Sequence, residues 1–134
     1  MKANELMIGD WVEYRFTGWT EKGGVYKDYQ YVQISSIGQL YIKADNDRVA
    51  SADGVEFYPI PLTPKILEKN GFIYLDENVW GKTGTEINIY LDCGVFAIIT
   101  HKGFLCLGGR GEIHFVHELQ HALRLCGIEK EIVL

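Results

Sequence analysis

From Gly9 to Tyr58 the chain offers strands and turns, with no segment of helical period between them. Trp11, Glu13 and Arg15 alternate with Val12, Tyr14 and Phe16, the period-two pattern of a pleated strand. Tyr29 to Ile34 and Gln39 to Lys43 repeat it, and Val55 to Tyr58 close the series. Turn formers separate these runs: Gly23-Gly24, Gly38, Asp45-Asn46-Asp47 and Asp53-Gly54. Five short strands expected in so little chain, these four runs among them, predict a small curled sheet, an SH3-like barrel.

Pro59 and Pro61 lack the N–H that a ladder needs and end that sheet. A short helix follows, with Thr63 as N-cap, Pro64 at its first position, and Asn70-Gly71 as left-handed residues at its end. Ile66 and Leu67 are its candidate buried contacts. Phe72 to Leu75, Glu86 to Leu91, Val95 to Thr100 and Phe104 to Leu107 then read as an antiparallel meander. Asp92-Cys93-Gly94, Lys102-Gly103 and Gly108-Gly109 mark its turns. A closing helix runs from Val116 to Cys126 and stops at Gly127, and Glu129 to Leu134 forms a tail or a last edge strand. The fold class is α+β, with a β-rich SH3-like subdomain at 1–62 and an α+β subdomain at 63–134.

Composition narrows the function classes. The 134 residues are 47% hydrophobic, too apolar for a disordered chain, and no run approaches a membrane span. Glu5 and Asp10 interrupt the start before a secretory signal can form. The net charge of −5 and the lack of any Lys or Arg cluster argue against nucleic acid as partner. Cys93, Cys106 and Cys126 are too few and too scattered for a disulfide framework, which fits a cytoplasmic protein with small buried thiols.

One motif carries explicit chemistry. His117-Glu118-Leu119-Gln120-His121 matches H-E-x-x-H, in which two imidazoles one helical turn apart bind Zn²⁺ and the glutamate activates water. The metzincin continuation is missing, since Arg124 and Gly127 stand where Gly and His are needed. Glu129, Glu131, His101 and His114 are the remaining donors within reach. At about 100° per residue, Leu119, Ala122 and Cys126 fall on the side of Phe115, while His117 and His121 fall opposite, beside Arg124. The phase therefore predicts both imidazoles facing away from the packed stripe, as a solvated helix face.

Other sites are weaker. Gly81-Lys82-Thr83 resembles the end of a phosphate loop, but Asp76 stands where the first glycine belongs, so Trp80 to Glu86 reads as a turn. Gly108-Gly109-Arg110-Gly111 reads as a flexible turn into the last helix, with an anion cradle as the alternative. Eight aromatic residues lie between Trp11 and Tyr41. Trp19, Tyr26 and Tyr29, next to the glycine-rich excursion, are the ones expected to be exposed and to bind a partner. Cross-strand pairing on the sheet surface is the plainer account.

Three stretches together resemble a family of small uncharacterised proteins encoded by phages and mobile elements of gut bacteria of the Bacteroides type. They are Met1-Lys2-Ala3-Asn4-Glu5-Leu6-Met7-Ile8-Gly9-Asp10-Trp11-Val12, Pro59-Ile60-Pro61-Leu62-Thr63, and Val116-His117-Glu118-Leu119-Gln120-His121. The family's closing helix reads V-H-x-L-Q-N. The resemblance thus implies that His117, Leu119 and Gln120 belong to the shared pattern and that the complete metal motif is particular to this chain. It brings no activity, substrate or cofactor.

The leading expectation is a non-enzymatic, cytoplasmic binding or accessory module of mobile-element origin. It takes a protein or peptide partner through Trp19, Tyr26 and Tyr29 and needs no cofactor. The alternative is a small zinc-dependent hydrolase, metallopeptidase-like, with His117 and His121 as ligands and Glu118 as general base. A third reading is a nucleic-acid accessory protein that uses the exposed aromatics.

Overall fold

The structure, a computed structural model, describes residue 1 and residues 3–51, 56–100, 103–104 and 112–134. The turn at Asp53-Gly54 and most of the strand predicted over Phe104 to Leu107 lie outside the described residues. The chain divides into two units, Met1–Ile60 and Pro61–Leu134, two residues before the expected boundary.

The first unit opens with a 3-10 turn, Ala3–Glu5, and a buried aspartate. Asp10 folds its own approach: its carboxylate accepts the Met7 N–H at 2.7 Å, while its backbone N–H donates to the Met7 carbonyl at 3.1 Å. Five antiparallel strands follow: β1 (Trp11–Trp19), β2 (Val25–Ile37), β3 (Tyr41–Ala44), β4 (Val49–Ser51) and β5 (Phe57–Tyr58), in the order β4-β3-β2-β1-β5. Val12, Val32, Ile34, Ile42 and Phe57 fill the core, each at most 2% exposed. Five strands form as expected, β4 being one that no alternating run marked, but a closed barrel does not: β4 and β5 stand at opposite ends of the order, and among the described residues they do not pair.

The reason lies in the length of β2, which runs for 13 residues. It pairs with β1 without interruption from Trp11↔Gln33 to Trp19↔Val25. β5 covers β1 only at Glu13 and Tyr14, and β3 covers β2 only from Ile34 onward, where the register shifts before Ser36. Phe16–Trp19 and Val25–Tyr31 therefore form a two-stranded ribbon with no third strand beside it among the described residues. A ribbon in water has little to bury, and every residue from Val25 to Tyr31 is exposed.

The second unit begins with α1 (Pro64–Lys69). Thr63 caps it as the sequence predicts, with its hydroxyl accepting the Ile66 N–H at 3.3 Å. The expected end is corrected in one respect. Asn70 has φ −94°, not a left-handed value, and Gly71 alone takes the positive φ of +82°. The sheet comprises β6 (Phe72–Asp76), β7 (Val79–Lys82), β8 (Asn88–Asp92), β9 (Val95–Thr100) and β10 (Gly103–Phe104), with β11 (Glu112–Ile113) also paired to β9.

Two tight hairpins build this meander. Glu77 and Asn78 both have positive φ, as do Cys93 and Gly94, the backbone that two-residue turns need to match strand twist. The turn expected over Trp80 to Glu86 is corrected in its first part: Trp80–Lys82 belong to β7, which pairs with β6 and β8, and only Thr83–Glu86 turn. Gly81 fits there because a Cβ would lie 2.8 Å from Leu75 Cδ1. Helix α2 (Val116–Leu125) closes the unit, and Gly127 follows it at φ +73°. No helix among the described residues is long and apolar enough to cross a membrane.

Candidate functional site

Directly paired residues of antiparallel strands share a face, and neighbours along a strand alternate. The β1–β2 register therefore sorts the aromatic residues of the ribbon. Trp19, Arg15 with Tyr29, and Glu13 with Tyr31 lie on one face. Val12, Tyr14, Phe16, Gly18 and Tyr26 lie on the other, which continues into the core. The three residues singled out from sequence are all exposed: Trp19 at 75%, Tyr29 at 55% and Tyr26 at 44%. Only Trp19 and Tyr29 share a face.

Tyr26 has a different occupation. It lies directly opposite Gly18, and a Cβ at Gly18 would fall 2.2 Å from its ring. The ring thus covers the glycine across the strand pair, giving a side-chain-free position a packing partner.

Tyr29 and Tyr31 approach at 5.7 Å between ring centroids. Beside them Arg15 pairs with Glu13 at 2.5 Å and stacks its guanidinium 3.8 Å from the Tyr58 ring centroid. On the core side Tyr14 stacks on Phe16 at 6.0 Å, and Arg48 reaches over both rings from the β3–β4 turn, at 5.6 and 5.5 Å. Such cation–π contacts set each guanidinium against the electron-rich face of a ring. Tyr14, Arg15, Phe16, Tyr29, Arg48 and Tyr58 wall a groove of about 710 Å³, to which Lys27, Asp28 and Glu56 also contribute.

Glu56 is the odd member of that wall. Among the described residues its Oε2 is shut off from water and has no hydrogen-bond partner. A buried carboxylate oxygen left unmatched costs roughly 1–3 kcal/mol or more, so its retention asks for an explanation. Neither Arg48 nor Glu56 stands out in the sequence. Arg48 is an isolated base in a turn, and only the curl of the sheet brings it over the β1 aromatics. Tyr14, Phe16 and Tyr58 were legible as strand residues but not as a groove.

The H-E-x-x-H helix departs from expectation. His117 is buried, at 6% exposure, and so is Gln120; His121 is partly exposed. The predicted outward face is therefore corrected for His117. The buried arc is wider than the apolar stripe at the first turn, where the His117 ring stacks on Phe115 at 5.9 Å and 12° between planes. Arg124, near the same angle two turns later, is exposed. The His117 and His121 rings lie 5.7 Å apart, edge to face.

Glu118 is engaged elsewhere. Its Oε2 accepts the N–H of His114 at 2.7 Å and of Phe115 at 3.1 Å, holding the first turn as the carboxylate half of a capping box. A glutamate bound to two helix-entry amides is directed at the backbone and not at a water between imidazoles. His114, one of the further donors, is half exposed and lies 3.5 Å from Glu112. Among the described residues no group of three or more His, Cys, Asp or Glu is placed to hold a metal ion. His101, Cys106 and the Gly108–Gly111 turn lie outside the described residues.

The other thiols are not activated. Burial raises the Cys126 thiol above its usual value, and Cys93 is raised by Asp92, which hydrogen-bonds the thiol and repels the thiolate. Lys82 of the phosphate-loop lookalike donates to the Asn70 carbonyl at 2.6 Å and lies 4.9 Å from the Phe72 ring centroid, a structural use of the amine.

Comparison of the chain with protein-family models, with characterised proteins and with solved structures returns no match.

Proposed function

We propose that the chain is a non-enzymatic, cytoplasmic binding or accessory module of phage or mobile-element origin, whose first unit is an SH3-like sheet that takes a protein or peptide partner. The observation that carries this reading is the aromatic and cationic groove on β1, β2 and β5, continuous with the exposed rings of Tyr29 and Tyr31. Exposed aromatic side chains on a rigid sheet supply contact area at low entropic cost, a common design of small peptide-binding domains. The strand order, with β5 laid against β1 and a β2-β3-β4 meander on the other side, supports SH3-likeness. The excess of acidic residues favours a protein partner over nucleic acid.

The zinc-hydrolase alternative has the proximity of His117 and His121 in its favour, and the engagement of Glu118 as a helix cap against it. An array of dodecapeptides in acidic, basic, proline-rich and aromatic classes tests the binding reading, with oligo(dT) beside it. Retention of one peptide class, lost on Tyr29→Ala, is the expected result. Binding of oligo(dT) alone with a steep salt dependence overturns it in favour of nucleic acid. Metal analysis of the purified protein settles the hydrolase alternative: stoichiometric zinc that disappears in His121→Ala without unfolding establishes it.

A further inference from the structure

We propose that the second unit pairs with a second copy of this chain through β6, the two β6 strands running antiparallel across a two-fold axis. This goes beyond the binding reading and uses a different surface. β6 is the end strand of its sheet, and among the described residues no backbone group outside β7 bonds to its own. Ile73, Tyr74 and Leu75 follow one another along it, and each is more than half exposed. An open backbone edge flanked by exposed apolar side chains is a template for another strand.

The open stretch of β2 shows what a guarded edge looks like. Val25–Tyr31 carries Lys27 and Asp28 at its middle, and the Asp28 carboxylate accepts the Tyr29 N–H at 2.8 Å. Charges and an occupied amide blunt an edge, and pairing two copies along that whole stretch sets Asp28 against Asp28. β6 has no such device: Phe72 to Leu75 carry no charge.

The register of β6 favours a copy of itself as the occupant. The two-residue turn Glu77-Asn78 closes on the pair Asp76·Val79, so Val79 and Gly81 direct their backbone groups toward β6. Gly81 stands opposite Ile73; Ile73 therefore bonds inward, and Phe72 and Tyr74 turn their N–H and C=O groups outward. A two-fold axis normal to the sheet at Ile73 sets Phe72 of each copy opposite Tyr74 of the other, as hydrogen-bonded pairs. Ile73 then meets Ile73, Leu75 comes over Gly71, and Asn70 faces Asp76, with no like charges opposed. On the core face the new Phe72–Tyr74 neighbours extend the aromatic row of Tyr74, Trp80 and Phe96, already in contact at 5.3 and 6.1 Å. Each copy has one β6, so assembly ends at two.

Sedimentation velocity of the full chain, from about 1 to 300 µM, tests this. One short edge buries less than a standard interface, so a dimer with a dissociation constant in the micromolar range is expected. Ile73→Lys sets two ammonium groups opposite each other and weakens the dimer at least about tenfold. Its side chain is exposed, so the unfolding midpoint of dilute protein stays where it was, which separates lost pairing from lost folding. Val25→Lys, on the open β2 edge, leaves the dimer within about twofold. Ile73→Cys forms an intermolecular disulfide on mild oxidation beyond anything the parent chain gives, because opposed residues of a non-hydrogen-bonded pair lie about 4.5 Å apart; Asp76→Cys does not. A chain still monomeric at about 300 µM, a dimer indifferent to Ile73→Lys, or growth past two copies overturns the inference, and none of these touches the peptide-binding reading.

Discussion

The side chain of Asn70 pairs with Val133 as a strand would: its Oδ1 accepts the Val133 N–H at 2.8 Å and its Nδ2 donates to the Val133 carbonyl at 2.8 Å. The same Nδ2 donates to the Ile66 carbonyl, also at 2.8 Å, so one amide closes α1 and fastens the tail. Lys69 adds a hydrogen bond to the Leu134 carbonyl, and Ile132 is buried at 3% exposure. Asn70→Ala is expected to cost about 1–3 kcal/mol, since it strands partly buried backbone groups. Chemical denaturation measures the cost, and hydrogen exchange at the Val133 amide should accelerate beyond what global unfolding explains.

Glu118 predicts a stability effect where an H-E-x-x-H reading predicts a chemical one. Glu118→Ala removes the acceptor of two helix-entry N–H groups and is expected to lower stability by about 1 kcal/mol. Thermal unfolding reads it directly, and a variant as stable as the wild type would remove the cap from the account of this helix.

Gly18 and Tyr26 should behave as one unit. Gly18→Ala pushes against the far end of a side chain that can swing away, so the expected cost is modest, about 0.5–1.5 kcal/mol. In a Tyr26→Ala background the same change should cost little or nothing. Strictly additive losses in the double-mutant cycle would show that the two do not touch.

Cys93 is exposed but chemically restrained by Asp92. A raised thiol pKa means less thiolate at neutral and mildly alkaline pH. Asp92→Asn therefore lets the thiol ionise at lower pH, and iodoacetamide labelling at about pH 8 should quicken roughly twofold to fivefold. The wild-type pH–rate curve should lie to the alkaline side of the variant's.

Lys82 works in the opposite direction. Burial lowers its pKa in the folded chain, with repulsion from Lys130 a smaller cause. Between that lowered value and the ordinary lysine value of 10.5 the unfolded chain holds the proton more firmly, so stability contributed at this site rises with pH through that window. Wild type should gain on Lys82→Met as pH climbs toward the top of the window, measured by urea unfolding at a series of pH values. A difference constant with pH would discount the shift.

Much of this architecture was legible because it is local. Alternation in Trp11–Phe16, the Thr63-Pro64 start of α1 and the Gly127 stop of α2 each follow from conformational preferences of a few neighbouring residues. What was not legible depends on distant chain. β7 was hidden because Trp80-Gly81-Lys82 reads as a turn until Leu75 and Asn88 come to lie against the glycine. His117 was assigned to the outer face by helical angle alone, but its burial is set by how far along the helix it stands. Glu56 and Arg48 carry no local signal, and the groove they share exists only once β5 and the β3–β4 turn meet β1.

The register of the ribbon gives one of its sides an optical reporter. Trp19 stands on the face of Tyr29 and Tyr31, and the only side chain it faces directly across the strands is Val25. Trp19 is the most exposed of the three tryptophans, so the solvent-accessible part of the indole emission answers to molecules arriving on that side. A guest seated on the face where Tyr26 covers Gly18 leaves that part of the emission as it was.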